Sequence, residues 1–137
     1  MTAFAVSFEP EIPRGGSEPP PAELNWSTVW EIVKDQPEYD PTFTISGERF
    51  GYYPTDLGNV LLDLLGELQR LDSGENHIFS LCGYTILSVE VGPEAVAFID
   101  PALEPTYRYD VPRAEVRSAL AAASTDVWSY IQSLRTR

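Results

Sequence analysis

PTDLGNVLLDLLGELQRL, residues Pro54 to Leu71, decides the fold. At 3.6 residues per turn, Leu57, Val60, Leu61, Leu64, Leu65, Leu68 and Leu71 fall on one broad stripe of a helix. Asn59, Asp63, Glu67 and Arg70 fall on the other side, and Leu62 is the one large apolar residue off the stripe. Thr55 reads as the N-cap, because its hydroxyl can accept from a first-turn N–H that has no helical partner. Asp56 adds negative charge where the helix dipole favours it. Asp72-Ser73-Gly74 ends the helix. A stripe this apolar must be covered, and the β-rich segments around it supply the cover.

Upstream, Phe4, Val6 and Phe8 alternate with Ala5 and Ser7, which predicts a short strand over 3–8. Residues 9–24 carry five prolines and two glycines, so they read as an irregular surface connection. Residues 25–35 read as a short helix capped by Asn25 or Ser27, with Trp26, Val29, Trp30 and Val33 on one side. Gln36 to Pro41 breaks it. The runs 42–45 and 48–53 flank Ser46-Gly47, a two-residue turn suited to a hairpin.

Downstream, HIFSLC (77–82) and YTILSVEV (84–91) are strand-like and separated by Gly83, either a tight turn or a bulge. AVAFID (95–100) and TYRYD (106–110) follow as strands. Pro112 opens a last helix, where its missing N–H costs nothing. Val116, Leu120, Ala123, Val127, Ile131 and Leu134 carry that helix to about Arg135, with a kink or a new cap at Ser124-Thr125-Asp126 as the other reading. Consecutive strands on short turns imply an antiparallel sheet. The expected architecture is α+β: an antiparallel sheet of about five or six strands with two main amphipathic helices on one face, a two-layer sandwich forming a single domain over residues 1–137.

The charge is one-sided. Twenty-one acidic residues against nine basic ones give a formal net charge of −12. Repulsion from phosphate argues against direct nucleic-acid binding and against anionic membrane, and opposite charge favours a basic partner. Lys34 is the sole lysine beside eight arginines, which fits a GC-rich genome of actinobacterial type. MTAFAVSFEPEIP has no basic start and no long apolar run, and no stretch approaches the roughly 20 apolar residues that span a bilayer. The expectation is a cytoplasmic protein.

No catalytic, cofactor-binding or metal-binding residue emerges. His77 is the one histidine and has no cysteine or histidine near it in sequence, so it reads as a structural or surface side chain. Cys82 is the one cysteine, excluding an internal disulfide, and reads as a buried inert thiol. There is no phosphate-cradling loop, dinucleotide fingerprint or nucleophile elbow. The suggestive feature is aromatics interleaved with acids. Trp26, Trp30, Tyr39, Tyr52 and Tyr53 alternate with Glu31, Asp35, Glu38, Asp40 and Glu48, and these ten are the candidate partner-binding residues. The competing reading places most of the aromatics, with Phe43 and Phe50, in the core.

Taken together, the hairpin, DLGNVLLDLLGELQRLDSGE, the strands HIFSLCGYTILSVEV and AVAFID, and the late helix opened by VPRAEV resemble small acidic bacterial proteins of immunity or uncharacterised type associated with polymorphic toxins. The likeness covers about residues 42–135. It implies a non-catalytic protein that inhibits a basic toxin domain by direct binding, without a cofactor. The alternative is a small enzyme or small-ligand-binding protein with a pocket between sheet and helices.

Overall fold

Ser46 and Gly47 have φ of 50° and 88°, the double left-handed turn whose twist matches that of two flanking strands. The computed structural model describes residues 3–51, 54–80, 87–100 and 107–135. Around this turn β2 (Asp40–Ile45) and β3 (Glu48–Gly51) pair antiparallel, as the sequence predicts. The other edge of β2 takes β1 (Phe4–Glu9), with Phe4 opposite Ile45 and Glu9 opposite Asp40. A second antiparallel sheet has the order β4 (His77–Ile78), β5 (Ser88–Val91), β6 (Ala95–Asp100) and β7 (Tyr107–Pro112).

The α+β class holds, and the expected single sheet is two, of three and four strands, among the described residues. Three helices accompany them: α1 (Trp26–Val33), α2 (Leu57–Ser73) and α3 (Arg113–Arg135). The hairpin spends its free edge on β1, and α2 then intervenes before β4, so β4–β7 close a sheet of their own. One core joins the two sheets. Phe4 of β1 stacks on Phe98 of β6 with centroids 5.5 Å apart, and Phe43 of β2 lies 4.7 Å from Phe79 beyond β4. The stripe of α2 feeds the same core through Leu57, Val60, Leu61, Leu64 and Leu71, while Leu65 and Leu68 are half-buried.

Several boundaries shift. Asp56, not Thr55, caps α2: its Oδ1 accepts from Asn59 N at 2.9 Å, and Thr55 instead exchanges backbone bonds with Tyr39. A carboxylate at that position meets both the open N–H and the positive end of the dipole. Asp40-Pro41, expected to lie in the break, are the first two residues of β2. Pro112 closes β7 and α3 starts one residue later, running unbroken through Ser124, whose hydroxyl bonds back to Ala121 O. Tyr52, Tyr53, Cys82 and the choice at Gly83 lie outside the described residues.

The proline-rich segment is pinned to α3. Gly16 N donates to Asp126 Oδ1 at 2.9 Å, Ser129 Oγ donates to Glu18 O, and Ile12 is buried. A Cβ on Gly16 would stand 2.6 Å from Ser129 Oγ and 2.9 Å from the Thr125 carbonyl oxygen. Gly16→Ala is therefore expected to lift this segment off α3, costing about 1–2 kcal/mol, with faster proteolysis confined to residues 9–24. Unchanged cleavage kinetics would contradict that contact.

Candidate functional site

The predicted aromatic–acidic stretch divides between core and surface. Tyr39 is 4% exposed; its hydroxyl donates to the Tyr130 hydroxyl at 3.1 Å, and burial followed by that bond pushes its pKa up to about 12. It is a core residue, not a surface anchor, because a two-residue bridge to Thr55 draws its backbone inward. Trp26 is half-buried against the core. Phe43 is fully buried and Phe50 stacks on it at 5.0 Å.

Trp30 does reach solvent, at 37% exposure. It projects from α1, whose first turn is closed by Asn25 accepting from Thr28 N. Val29 and Val33, on the adjoining flank of the helix, are buried. A methyl on Gly58 would stand 3.2 Å from Cζ3 of Trp30, so the indole lies against bare backbone in the first turn of α2. Leu62, one turn further on the same side of α2, is 45% exposed. Trp30 on α1 and Leu62 on α2 are thus both exposed apolar side chains, the first of them against the first turn of α2.

Exposed carboxylates follow Trp30 along the chain. Glu31 is exposed and holds Lys34 at 2.8 Å; Asp35 and Glu38 are exposed just beyond α1. Over residues 26–40 the four acids Glu31, Asp35, Glu38 and Asp40 against Lys34 alone leave a charge of −3. Asp40 is half-buried in β2, and Glu48 is exposed at the start of β3 in the other sheet edge. The face therefore retains Trp30, Glu31, Asp35 and Glu38 from the predicted set, and gains Leu62.

The sequence reading missed a carboxylate–histidine pair. Glu67 was expected on the polar side of α2, yet its side chain is 2% exposed. Its Oε2 is 2.7 Å from His77 Nε2, and Oε1 accepts from Ser80 N at 2.9 Å and from Arg70 at 3.3 Å. His77 Nδ1 is 2.7 Å from Glu75 O. A carbonyl only accepts, so Nδ1 carries a proton, and when the ring is protonated the second proton, on Nε2, points at Glu67 Oε2. Burial pulls the His77 pKa down, but the Glu67 bond, the Glu75 carbonyl and the Glu67 charge outweigh it and raise the value. The adjoining void, of about 10 Å³, has room for about one water at most. This dyad is a staple between α2 and β4, closed to substrate. Among the described residues, no group of three or more His, Cys, Asp or Glu is placed to hold a metal.

A larger feature lies on the far side of the β1–β2–β3 sheet. Phe4, Phe43 and Ile45 face the core, so Ser7, Thr42 and Thr44 face away from it. They floor a groove of about 520 Å³, walled by Ala119, Ala122 and Ala123 of α3 and by the segment carrying Arg14. The period-two pattern of both strands contained this polar row, but its assembly needs β1 paired with β2 some 35 residues away. No protein-family model matches the chain, and neither the curated proteins nor the solved structures include one similar to it.

Proposed function

We propose that this protein is a non-catalytic binding module of the immunity type, which docks a basic toxin-like protein through the face built by α1 and the start of α2 and blocks it stoichiometrically. The observation that carries the reading is exposed Trp30, seated on Gly58, with Leu62 exposed one turn further along α2 and Glu31, Asp35 and Glu38 exposed in the same stretch of chain as Trp30. An exposed indole on rigid backbone is an economical anchor, since little side-chain freedom remains to be lost on binding. These carboxylates and the net charge of −12 accelerate encounter with a cationic surface and repel anionic competitors. No helix among the described residues is long and apolar enough to cross a membrane.

The test is capture from lysate of the producing cell, at low and moderate salt, with wild type and Trp30→Ala as baits. Wild type is expected to retain a basic protein in stoichiometric amount. Trp30→Ala is expected to weaken that complex by about 2 kcal/mol, roughly 30-fold. Failure to recover any stoichiometric partner, or equal recovery by both baits, would reject the reading. A second reading, a small-ligand-binding protein, is favoured by one observation, the groove of about 520 Å³, which lies within the roughly 300–1,000 Å³ range of small-molecule sites.

A further inference from the structure

In so acidic a chain, cations are scarce, and five of the eight among the described residues are matched. Lys34 meets Glu31, Arg70 meets Glu67, Arg108 lies between Glu90 and Asp110, and Arg117 meets Asp72. Arg113 donates to the carbonyls of Gly92 and Leu71. Among the described residues only Arg14, Arg49 and Arg135 make no ion pair or side-chain hydrogen bond. Arg135 ends α3. Arg14 and Arg49 both line the groove.

The groove floor has polarity along its length. Cross-strand neighbours on the outward face form successive rows: Glu9 with Asp40, Ser7 with Thr42, and Ala5 with Thr44 and then Arg49. Glu9 opposite Asp40 sets like charges side by side, an unfavourable pairing in the absence of a cation. Asp40 Oδ1 is enclosed, and of the two carboxylates only Glu9 lines the groove. The acid row and the arginine row are four residues apart, about 13 Å along the strands. Between them, Ser7 and Thr42 hydroxyls bond to each other at 2.7 Å, and the accepting hydroxyl keeps its own proton to donate. On the opposite wall Ala119, Ala122 and Ala123 are apolar, Asp126 of the same helix is held by Gly16 N, and Glu11 lines the groove on the Glu9 side of the chain.

We propose that the groove binds a short zwitterionic peptide of three or four residues with small side chains. Its ammonium meets Glu9, its carboxylate meets Arg49, and its amides meet the hydroxyls between. An extended chain advances roughly 3.3–3.6 Å per residue, so this length spans the distance between the two charged rows. A single amino acid reaches one row only. The proposal rests on the second reading above, and is independent of the face around Trp30.

Isotope-labelled protein titrated with trialanine is the test, followed by amide chemical shifts. The comparison ligands are N-acetyl-trialanine, trialanine amide, the doubly blocked peptide and free alanine. Trialanine is expected to shift Ser7, Thr42, Thr44 and Arg49 saturably at millimolar concentration. Each blocked terminus is expected to weaken binding about tenfold or more, because a charge-assisted bond is lost. Arg49→Ala is expected to weaken trialanine but not trialanine amide, and Arg135→Ala to change neither. If the doubly blocked peptide binds as tightly as trialanine, the groove still takes a small ligand and the zwitterion is overturned. If alanine matches trialanine, the length is overturned. If none of the ligands gives a saturable shift, both the proposal and the small-ligand reading fall.

Discussion

Phe43→Ala is expected to lower the unfolding free energy by about 4 kcal/mol, the largest loss from any single truncation in this chain. Phe43 is fully buried in the middle strand of the first sheet and, among the described residues, meets the rings of Phe4 at 6.1 Å, Phe50 at 5.0 Å and Phe79 at 4.7 Å. Phe4 and Phe79 in turn meet Phe98 of the second sheet. Removing Phe43 thus opens a cavity at the junction of the two sheets, where neither can collapse without disturbing its own pairing. Domains of this size are stable by about 5–15 kcal/mol, so the loss would consume a large share. Urea denaturation measures it. Phe50→Ala, at a half-buried position on the same stack, is expected to cost about half as much. Equal costs would mean that the junction is not where the packing is tightest.

His77→Ala is expected to cost about 3 kcal/mol near neutral pH, despite removing one small side chain. The loss comes from Glu67, which stays behind in the core with only Ser80 N and Arg70 as donors. The double variant Glu67→Leu/His77→Ala is expected to lose less than the sum of its parts, because the unpaired carboxylate is gone. The pair also sets a pH dependence. The folded-state pKa of His77 is raised above its unfolded value near 6.5. Its stabilisation is therefore fully present below about pH 6.5 and is lost as pH rises through the folded value. Charged groups facing the ring are Glu67 and Arg70 of α2; Phe79, Val89, Val96, Phe98, Val116 and Leu120 supply the apolar surroundings. The difference in stability between wild type and His77→Gln is expected to shrink across that window on the alkaline side. A difference that grows with pH would mean that the ring is neutral in the folded state.

Much of the fold was legible from local pattern. The stripe from Leu57 to Leu71, the Ser46-Gly47 turn, the Asn25 cap and the continuous apolar face of α3 each rest on neighbours within a few residues. The division into two sheets was not legible, because it depends on which distant strand β2 prefers. Residues 3–8 and 42–45 both read as strands, and nothing local says that they pair. Glu67 shows the same limit. Its helical position looks solvent-facing on a wheel, and only the return of the chain at His77 and Ser80 supplies the donors that let a carboxylate sit in the core.

The face proposed for binding was legible in part, for a related reason. Trp30 and Tyr39 belong to one aromatic–acidic run, yet one reaches solvent and the other is sealed by Tyr130 of α3, 91 residues later. Leu62 stood out as the apolar residue off the stripe, and it is exposed one turn beyond Gly58, the glycine on which Trp30 rests. The floor of the groove escaped notice because its hydroxyls and arginines come from four separate stretches of chain.

Hydrogen exchange on the complex with the captured basic protein tests the central claim most directly. The account predicts new protection concentrated in residues 26–38 and 56–63, weakened by raising the salt concentration. Protection centred instead on β5–β7 or on the far end of α3, with the face around Trp30 exchanging as in the free protein, would contradict it.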